Sequence, residues 1–448
     1  MKYFYPIEYK ALLKLGIPIT VGQIGMTLQN IADNVMVGRH STQELAAAGL
    51  VNNLFIIILL VTVGYSIGSI PVIGALFTQK KTQDIVKILK SSILADLMQG
   101  TFLLVPLVAV YFLLPFMGQP DELLPMMRPY LLIQVLSLPF VVLFNPFRQC
   151  TDSINDTSVA MIITLIGNVW NIVFNWMMIY GHCGFAEMGI IGAGWATFSA
   201  RVVMCLLLLL TFYLRPKYKH YRECWSLVHA TKAEIIHLNR LGWPIAIQMG
   251  MEISAFSIVA IFAGWVGTVH LAAHQVMLVI SQIIFMSFVG ISSAVSIRVS
   301  NYRGLGNLHA IRQTALAGWE IVFVISIILS AFVFAFSREL SFLFTDSNEV
   351  SEIVAVCVYA LLLYQLGDGI QCTYLNALRG LGDVKKLMKY SFFAYVVISM
   401  PLSYLFCIPL HMGTFGLWLG FPFGLTAAGV LYMRRFLRMS DMKHAYSN

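Results

Sequence analysis

The sequence predicts an all-α membrane protein of twelve transmembrane helices in two pseudo-symmetric six-helix lobes. Three observations predict it. Hydrophobic residues make up 58% of the 448 and charged residues only 11%, about half the charged share of a soluble protein, too little to cover a soluble surface. Apolar stretches of membrane-crossing length recur twelve times. Finally, 25 of the 29 lysines and arginines fall on one side of the topology those stretches define.

A hydrocarbon core about 30 Å thick takes roughly 20 helical residues. The spans read 13–37, 46–78, 92–117, 127–147, 158–180, 188–214, 241–264, 271–299, 315–337, 351–376, 388–410 and 413–436. Several exceed the minimum, which implies tilt or extension beyond the lipid. The longest polar stretch, 215–240, falls between spans six and seven, and no connection is long enough for a separate soluble domain. The expected division is an N-lobe over 1–214, a cytoplasmic linker over 215–240 and a C-lobe over 241–448. Residues 1–14 do not read as a secretory leader, because they carry lysines and a glutamate ahead of a long apolar segment.

Orientation follows from the basic residues. With a cytoplasmic N-terminus, the inner segments take 25 of them, from Lys2 to Lys443. The outer loops hold Arg39, Arg128 and Arg338, and Arg201 is the one basic residue placed inside a span. This asymmetry predicts cytoplasmic N- and C-termini in a cell's inner (plasma) membrane. The net charge of +8 is then topological and calls for no nucleic acid. Seven scattered cysteines without a C-x-x-C pair read as small apolar residues in helices.

The halves repeat. Leu15-Gly16-x-Pro18-Ile19 matches Leu241-Gly242-x-Pro244-Ile245, and at the same offset of 226, Leu45-Ala46-Ala47 matches Leu271-Ala272-Ala273. Later, Met188-Gly189-x-x-Gly192 matches Met412-Gly413-x-x-Gly416. Six spans per half is an even number, so the repeat is parallel about an axis along the membrane normal. Transporters of that design bind cargo between the halves and rock about it.

A carboxylate within the bilayer is costly unless hydrated or paired. Five acids fall inside spans: Asp33, Asp96, Glu252, Glu320 and Asp368. Asp96 and Glu320 stand near cytoplasmic ends, where snorkelling or a basic neighbour can satisfy them. Asp33, Glu252 and Asp368 lie deeper, with no Arg or Lys within a helical turn. Neutral polar residues share their register. Asn168, Asn171 and Asn175 follow one face of span five, and Thr197 stands in span six. Tyr364 precedes Asp368 by four residues and Gln371 follows it by three. Such carboxylates can hold a proton or Na⁺, and the residues do not choose between the two ions. Any one of these polar residues alone is as well explained as interhelical glue.

His270 and His274 share a helix face, but two imidazoles without a third ligand make a poor metal site. Pro18 frees a backbone carbonyl in span one and makes flexing there a candidate gate. Aromatic side chains and 22 methionines suit a greasy cleft for amphipathic cations, although in a membrane protein they are more often lipid-facing or core. No phosphate-binding loop of the G-x-x-x-x-G-K-[ST] type is present, so ATP is not the expected fuel. A membrane-embedded transferase would need catalytic pairs or a sizeable loop domain, and the loops offer neither. No enzyme is expected.

These residues reach a known pattern. Pro18 and Gln23, Asp33 within Gln-Asn-Ile-Ala-Asp33-Asn-Val-Met-Val-Gly, the paired Leu-Ala-Ala segments, Pro244 ahead of Glu252-Ile-Ser, and Asn376-Ala-Leu-Arg379-Gly380-x-Gly382-Asp383 resemble the MATE (multidrug and toxic compound extrusion) family, NorM-like branch, over nearly the whole chain. The resemblance implies two lobes around a central cleft, with an N-lobe cation or proton site of Asp33, Asn171, Asn175 and Thr197. It implies a C-lobe site of Glu252, Tyr364 and Asp368, with Na⁺ possible at these acids. Where some branches carry a second acid on the fifth helix, this chain has Asn175. The function implied is antiport of organic cations out of the cell against Na⁺ or H⁺ by alternating access. No cofactor is expected beyond the coupling ion, and no partner beyond small organic cations and membrane lipid, so the protein is expected to be a monomer. A flippase for lipid-linked precursors shares the two-lobe plan, but it would need a cationic cleft, and Arg201 stands alone.

Overall fold

Every expected span is a helix, and most of the helices outrun their apolar stretch. The computed structural model describes residues 6–116, 121–342 and 347–441; Lys2 and Lys443 lie outside them. The spanning helices are α1 (Pro6–His40), α2 (Thr42–Ile67, resuming over Ile70–Thr78), α3 (Thr82–Leu113), α4 (Leu124–Ser153), α5 (Thr157–Ile179) and α6 (Gly189–Leu214). The second half repeats them as α7 (Lys232–Val266), α8 (Thr268–Gly304), α9 (Leu308–Ala335), α10 (Asn348–Leu381), α11 (Lys385–Phe392 through Met400–Cys407) and α12 (Gly413–Met439). Twelve helices among the described residues are long and apolar enough to cross a membrane. A hydropathy pattern measures the lipid, not the helix. The added turns therefore carry charge: Lys87 and Lys90 at the start of α3, and Arg303 at the end of α8.

Two helices are irregular. The break in α2 falls at Gly68 and Ser69, where Gly68 meets the backbone of Gly242; a Cβ there would stand 2.7 Å from the Gly242 nitrogen. In α11, Phe393–Ser399 form a π-helical stretch. It widens the turn and changes the direction in which Tyr395 points.

The chain divides into two compact units, but not at its loops. One unit is Val21–Ala246; the other joins the residues up to Thr20 with those from Ile247 onward. Both divisions fall inside continuous helices, α1 and α7, two residues beyond Pro18 and Pro244. The first turns of each helix thus belong with the other half. The expected linker 215–240 is part of the Val21–Ala246 unit, in which Lys90 Nζ donates to the carbonyls of Trp225 (2.5 Å) and Val228 (3.0 Å). Composition marks loops, and nothing in it marks a crossing in mid-helix.

Side chains explain the arrangement. Within the unit completed from Ile247 onward, buried Glu8 accepts from Arg298 Nη2 (2.8 Å), Tyr302 Oη (2.5 Å) and Thr314 Oγ1 (3.0 Å). Gly16 packs against Gly290 and Ile291. Within Val21–Ala246, Glu234 accepts from Lys87 Nζ at 3.2 Å and Tyr65 Oη donates to Asn239 Oδ1 at 3.0 Å. Gly242 packs against Tyr65. Glu8 and Gly16 stand 226 residues before Glu234 and Gly242, so the crossing obeys the repeat.

Candidate functional site

Within the unit Val21–Ala246, α1, α5 and α6 bring all four expected N-lobe residues into one line of hydrogen bonds. Asn175 Nδ2 donates to Asp33 Oδ1 at 2.5 Å and to Asn171 Oδ1 at 3.2 Å. Asn171 Nδ2 donates in turn to Thr197 Oγ1 at 3.2 Å. The one-turn spacing of Asn171 and Asn175 along α5 makes the line possible, and both amides are fully buried. Asn168, one turn below, is buried with neither amide atom partnered, against Gly25 of α1. Gln29, one turn before Asp33, reaches the same carboxylate.

Arg201 is near but not free. Its Nη1 donates to Gln134 Oε1 at 2.8 Å and to Ser137 Oγ, and the guanidinium lies 5.1 Å from the centre of the Phe55 ring. Those contacts occupy the one cation expected inside a span and leave little of it for a phosphate.

In the unit from Ile247 onward, Asp368 and Tyr364 are buried and Glu252 is half-buried. Asp368 and Tyr364 lie within electrostatic reach of Glu252. One oxygen of Asp368 is buried without a hydrogen-bond partner. Tyr364 is packed edge-on against Trp418 and Phe421, at 5.7 and 6.1 Å between ring centres. A buried carboxylate with an unused acceptor among hydroxyls and amides can take up a proton or a small cation.

Three participants escaped the sequence reading. Gln248 Nε2 donates to Glu252 Oε2 at 2.9 Å, and Gln248 Oε1 accepts from Arg379 Nη2 at 2.6 Å. Arg379 is 6% exposed. Arg201 is therefore not the one interior cation, because α10 runs on past its apolar stretch and carries Arg379 inward. Tyr395, from the π-helical stretch, stands near Glu252 and accepts from Gln371 Nε2 at 2.5 Å. Gln248 stands one turn before Glu252, which is a usable signal. The phase of Tyr395 depends on the irregular turn and leaves no mark in the sequence.

The remaining polar candidates find other roles. Glu320 accepts from the Tyr9 hydroxyl. Asp96 is buried beside Ser66 and Tyr65. His270 Nδ1 lies 2.9 Å from Thr414 Oγ1, and buried His274 faces Trp418 with neither ring nitrogen partnered. Pro18 sits in α1 between Gly16, which is packed on α8, and Thr20, which meets Gly290.

A family model described as MatE matches residues 18–177 and 244–405, one match in each half. The chain is 29% identical over 432 residues to a probable multidrug resistance protein NorM of Photorhabdus laumondii, covering 95% of this chain and 94% of that one. It is 27% identical over 436 residues to the multidrug resistance protein NorM of Vibrio cholerae, covering 96% and 95%. Among solved structures, an outward-facing multidrug resistance MATE family transporter of the MOP superfamily superposes with a TM-score of 0.86 at 22% identity, covering 97% of this chain and 96% of its own. A MOP superfamily transporter from Pyrococcus furiosus, described as having a binding pocket of reverse polarity, matches with the same TM-score, identity and coverage.

Proposed function

Because the chain belongs to the MatE family, we propose that it is a secondary active exporter of amphipathic organic cations, driven by inward movement of Na⁺ or H⁺. The observation that supports this most directly is the line Asp33–Asn175–Asn171–Thr197. A carboxylate held by a neutral amide, and not by a salt bridge, can change its proton or ion occupancy without breaking an ion pair. The amides relay that change to α5 and α6.

The second unit supplies a parallel device in Glu252, Tyr364 and Asp368, where the unused oxygen of Asp368 is available to a coupling ion. Coupling follows if an ion and a cationic drug compete for the same negative charge, so that each promotes release of the other under alternating access. Pro18 is assigned the gate, since it breaks the hydrogen-bond ladder of α1 two residues before that helix passes from one unit to the other. The positive-inside asymmetry supports cytoplasmic termini and insertion in the inner (plasma) membrane. It is taken to work as a monomer, with no cofactor beyond the coupling ion.

The test is efflux of a fluorescent organic cation from proteoliposomes, with Na⁺ and pH gradients imposed separately. Export that follows one imposed gradient and collapses with its ionophore is expected. Export that ignores both gradients would overturn the reading.

A further inference from the structure

His40, the last residue of α1, is held between two carboxylates. Its Nδ1 lies 2.7 Å from Glu44 Oε2 in the first turn of α2, and its Nε2 lies 2.9 Å from Glu187 Oε1 in the loop before α6. An ionised carboxylate offers acceptors only. Both ring nitrogens can donate only when the imidazole is protonated. A neutral ring donates from one nitrogen and turns a lone pair toward the other carboxylate.

The two arms are unequal. Glu44 also accepts from the Ile190 amide at 3.0 Å and is 15% exposed, whereas Glu187 is 67% exposed. Loss of the proton therefore releases Glu187 first. The other groups around the ring do not replace that contact. The Tyr180 ring is 6.2 Å away and its hydroxyl donates to the Met36 carbonyl at 2.8 Å. His182 is stacked on Trp176 at 4.3 Å, Glu122 accepts from Gln43 at 3.4 Å, and Arg39 precedes His40 in the chain.

The clasp joins the elements that carry the Asp33 line. Asp33 stands seven residues before His40 on α1, Asn171 and Asn175 lie on α5, and Glu187 precedes α6 with its Thr197. The repeat does not require it. Val266 stands at the place of His40 in the second half and His411 at that of Glu187. The fold is built there without such a pair, so the clasp is specific to the unit that contains Asp33.

We propose that His40 is a positioning residue whose protonated ring clasps α1, and with it Asp33, to the loop between α5 and α6, and that the clasp opens as the pH on its side of the membrane rises through the histidine range. Its consequence for transport rests on the reading of Asp33 as the coupling carboxylate; its existence does not. The sign is fixed by the donors: closed when acid, open when alkaline.

The experiment is hydrogen–deuterium exchange on the full-length protein in nanodiscs at about pH 5.5 and about pH 8, corrected for the intrinsic pH dependence of exchange. Peptides covering 181–190 of the wild-type protein are expected to lose protection roughly threefold or more at the higher pH. His40→Lys keeps two donors at both values and is expected to stay protected. His40→Gln, whose N–H donors sit on one nitrogen and whose other face is a carbonyl oxygen turned toward the second carboxylate, is expected to be unprotected at both. Wild-type protection that is the same at both values, or His40→Gln that follows the wild-type change, would overturn the proposal. Exchange and proteoliposome efflux measured together on Asp33→Asn separate the two readings. If that variant still exports, the coupling role falls while the exchange switch stands or fails by itself.

Discussion

Glu44 and His270 occupy the same place in the two halves, 226 residues apart, and each caps the last helix of its half. The Ile190 amide donates to Glu44 Oε2 at 3.0 Å, and the Thr414 amide donates to His270 Nδ1 at 3.4 Å. One half uses a carboxylate and the other an imidazole for the same unpaired amide at a helix start. The glycine ahead of each amide makes room. Gly189 and Gly413 have φ of +53° and +57°. A methyl group on Gly189 would run into the Glu44 carboxylate, and one on Gly413 would lie 2.7 Å from His270 Cε1. Gly189→Ala and Gly413→Ala should each cost about 2 kcal/mol or more, from backbone strain and lost capping together. Thermal unfolding in detergent measures it; unchanged midpoints in both variants would remove the capping account.

The repeat also makes an asymmetric prediction at Glu8 and Glu234. Glu8 is buried with three donors, and Arg298 beside it has a side chain only 18% exposed. Glu8→Ala should cost about 3 kcal/mol, because it leaves a largely buried guanidinium without its carboxylate. Glu234 meets Lys87 with both side chains about a third exposed or less, at 27% and 33%. Glu234→Ala should cost less than about 1 kcal/mol. Equal shifts in unfolding midpoint for the two variants would refute the difference in burial as its cause.

At the candidate sites, Asp33→Asn and Asp368→Asn should each abolish coupled export while the protein still reaches the membrane folded. Asn175→Asp is more discriminating. It sets a second carboxylate against Asp33, where the amide now stands 2.5 Å away. Two acids at that separation share one proton, so Asn175→Asp should shift the pH profile of export toward alkaline values. A profile identical to wild type would mean that Asp33 takes no part in proton-linked steps.

How much of this was legible in advance depends on which solvent enforces the rule. Lipid penalises an unpaired charge heavily, so Asp33, Glu252 and Asp368 stood out, and the one-turn spacing of Asn171 and Asn175 pointed at the same face. Helix ends in water carry no such penalty. The inward course of Arg379 and the added turns of α3 and α8 were therefore invisible. Pairings between distant residues were equally silent: His40 meets Glu187 across 147 positions and Glu8 meets Arg298 across 290. The passage of α1 and α7 from one unit to the other occurs among apolar residues, where composition does not change.

Tyr395 tests whether the irregular turn of α11 serves the site. Its hydroxyl stands near Glu252 and accepts from Gln371 Nε2, and Tyr395 lies within the π-helical turn. Tyr395→Phe keeps the ring, removes the hydroxyl and leaves the buried Gln371 amide without that acceptor. Stability should fall by about 1–3 kcal/mol, the cost of an unsatisfied buried donor. Glu252 loses a neighbouring hydroxyl, so it should hold a metal cation less well. If Na⁺ is the coupling ion, its half-saturating concentration for export should rise by about tenfold, with the maximal rate little changed. If H⁺ is, the pH profile of export should differ from wild type. Proteoliposome efflux titrated with each ion reads both outcomes. A variant that loses stability but keeps the wild-type ion dependence would leave Tyr395 a packing residue and detach the π-helical stretch from coupling.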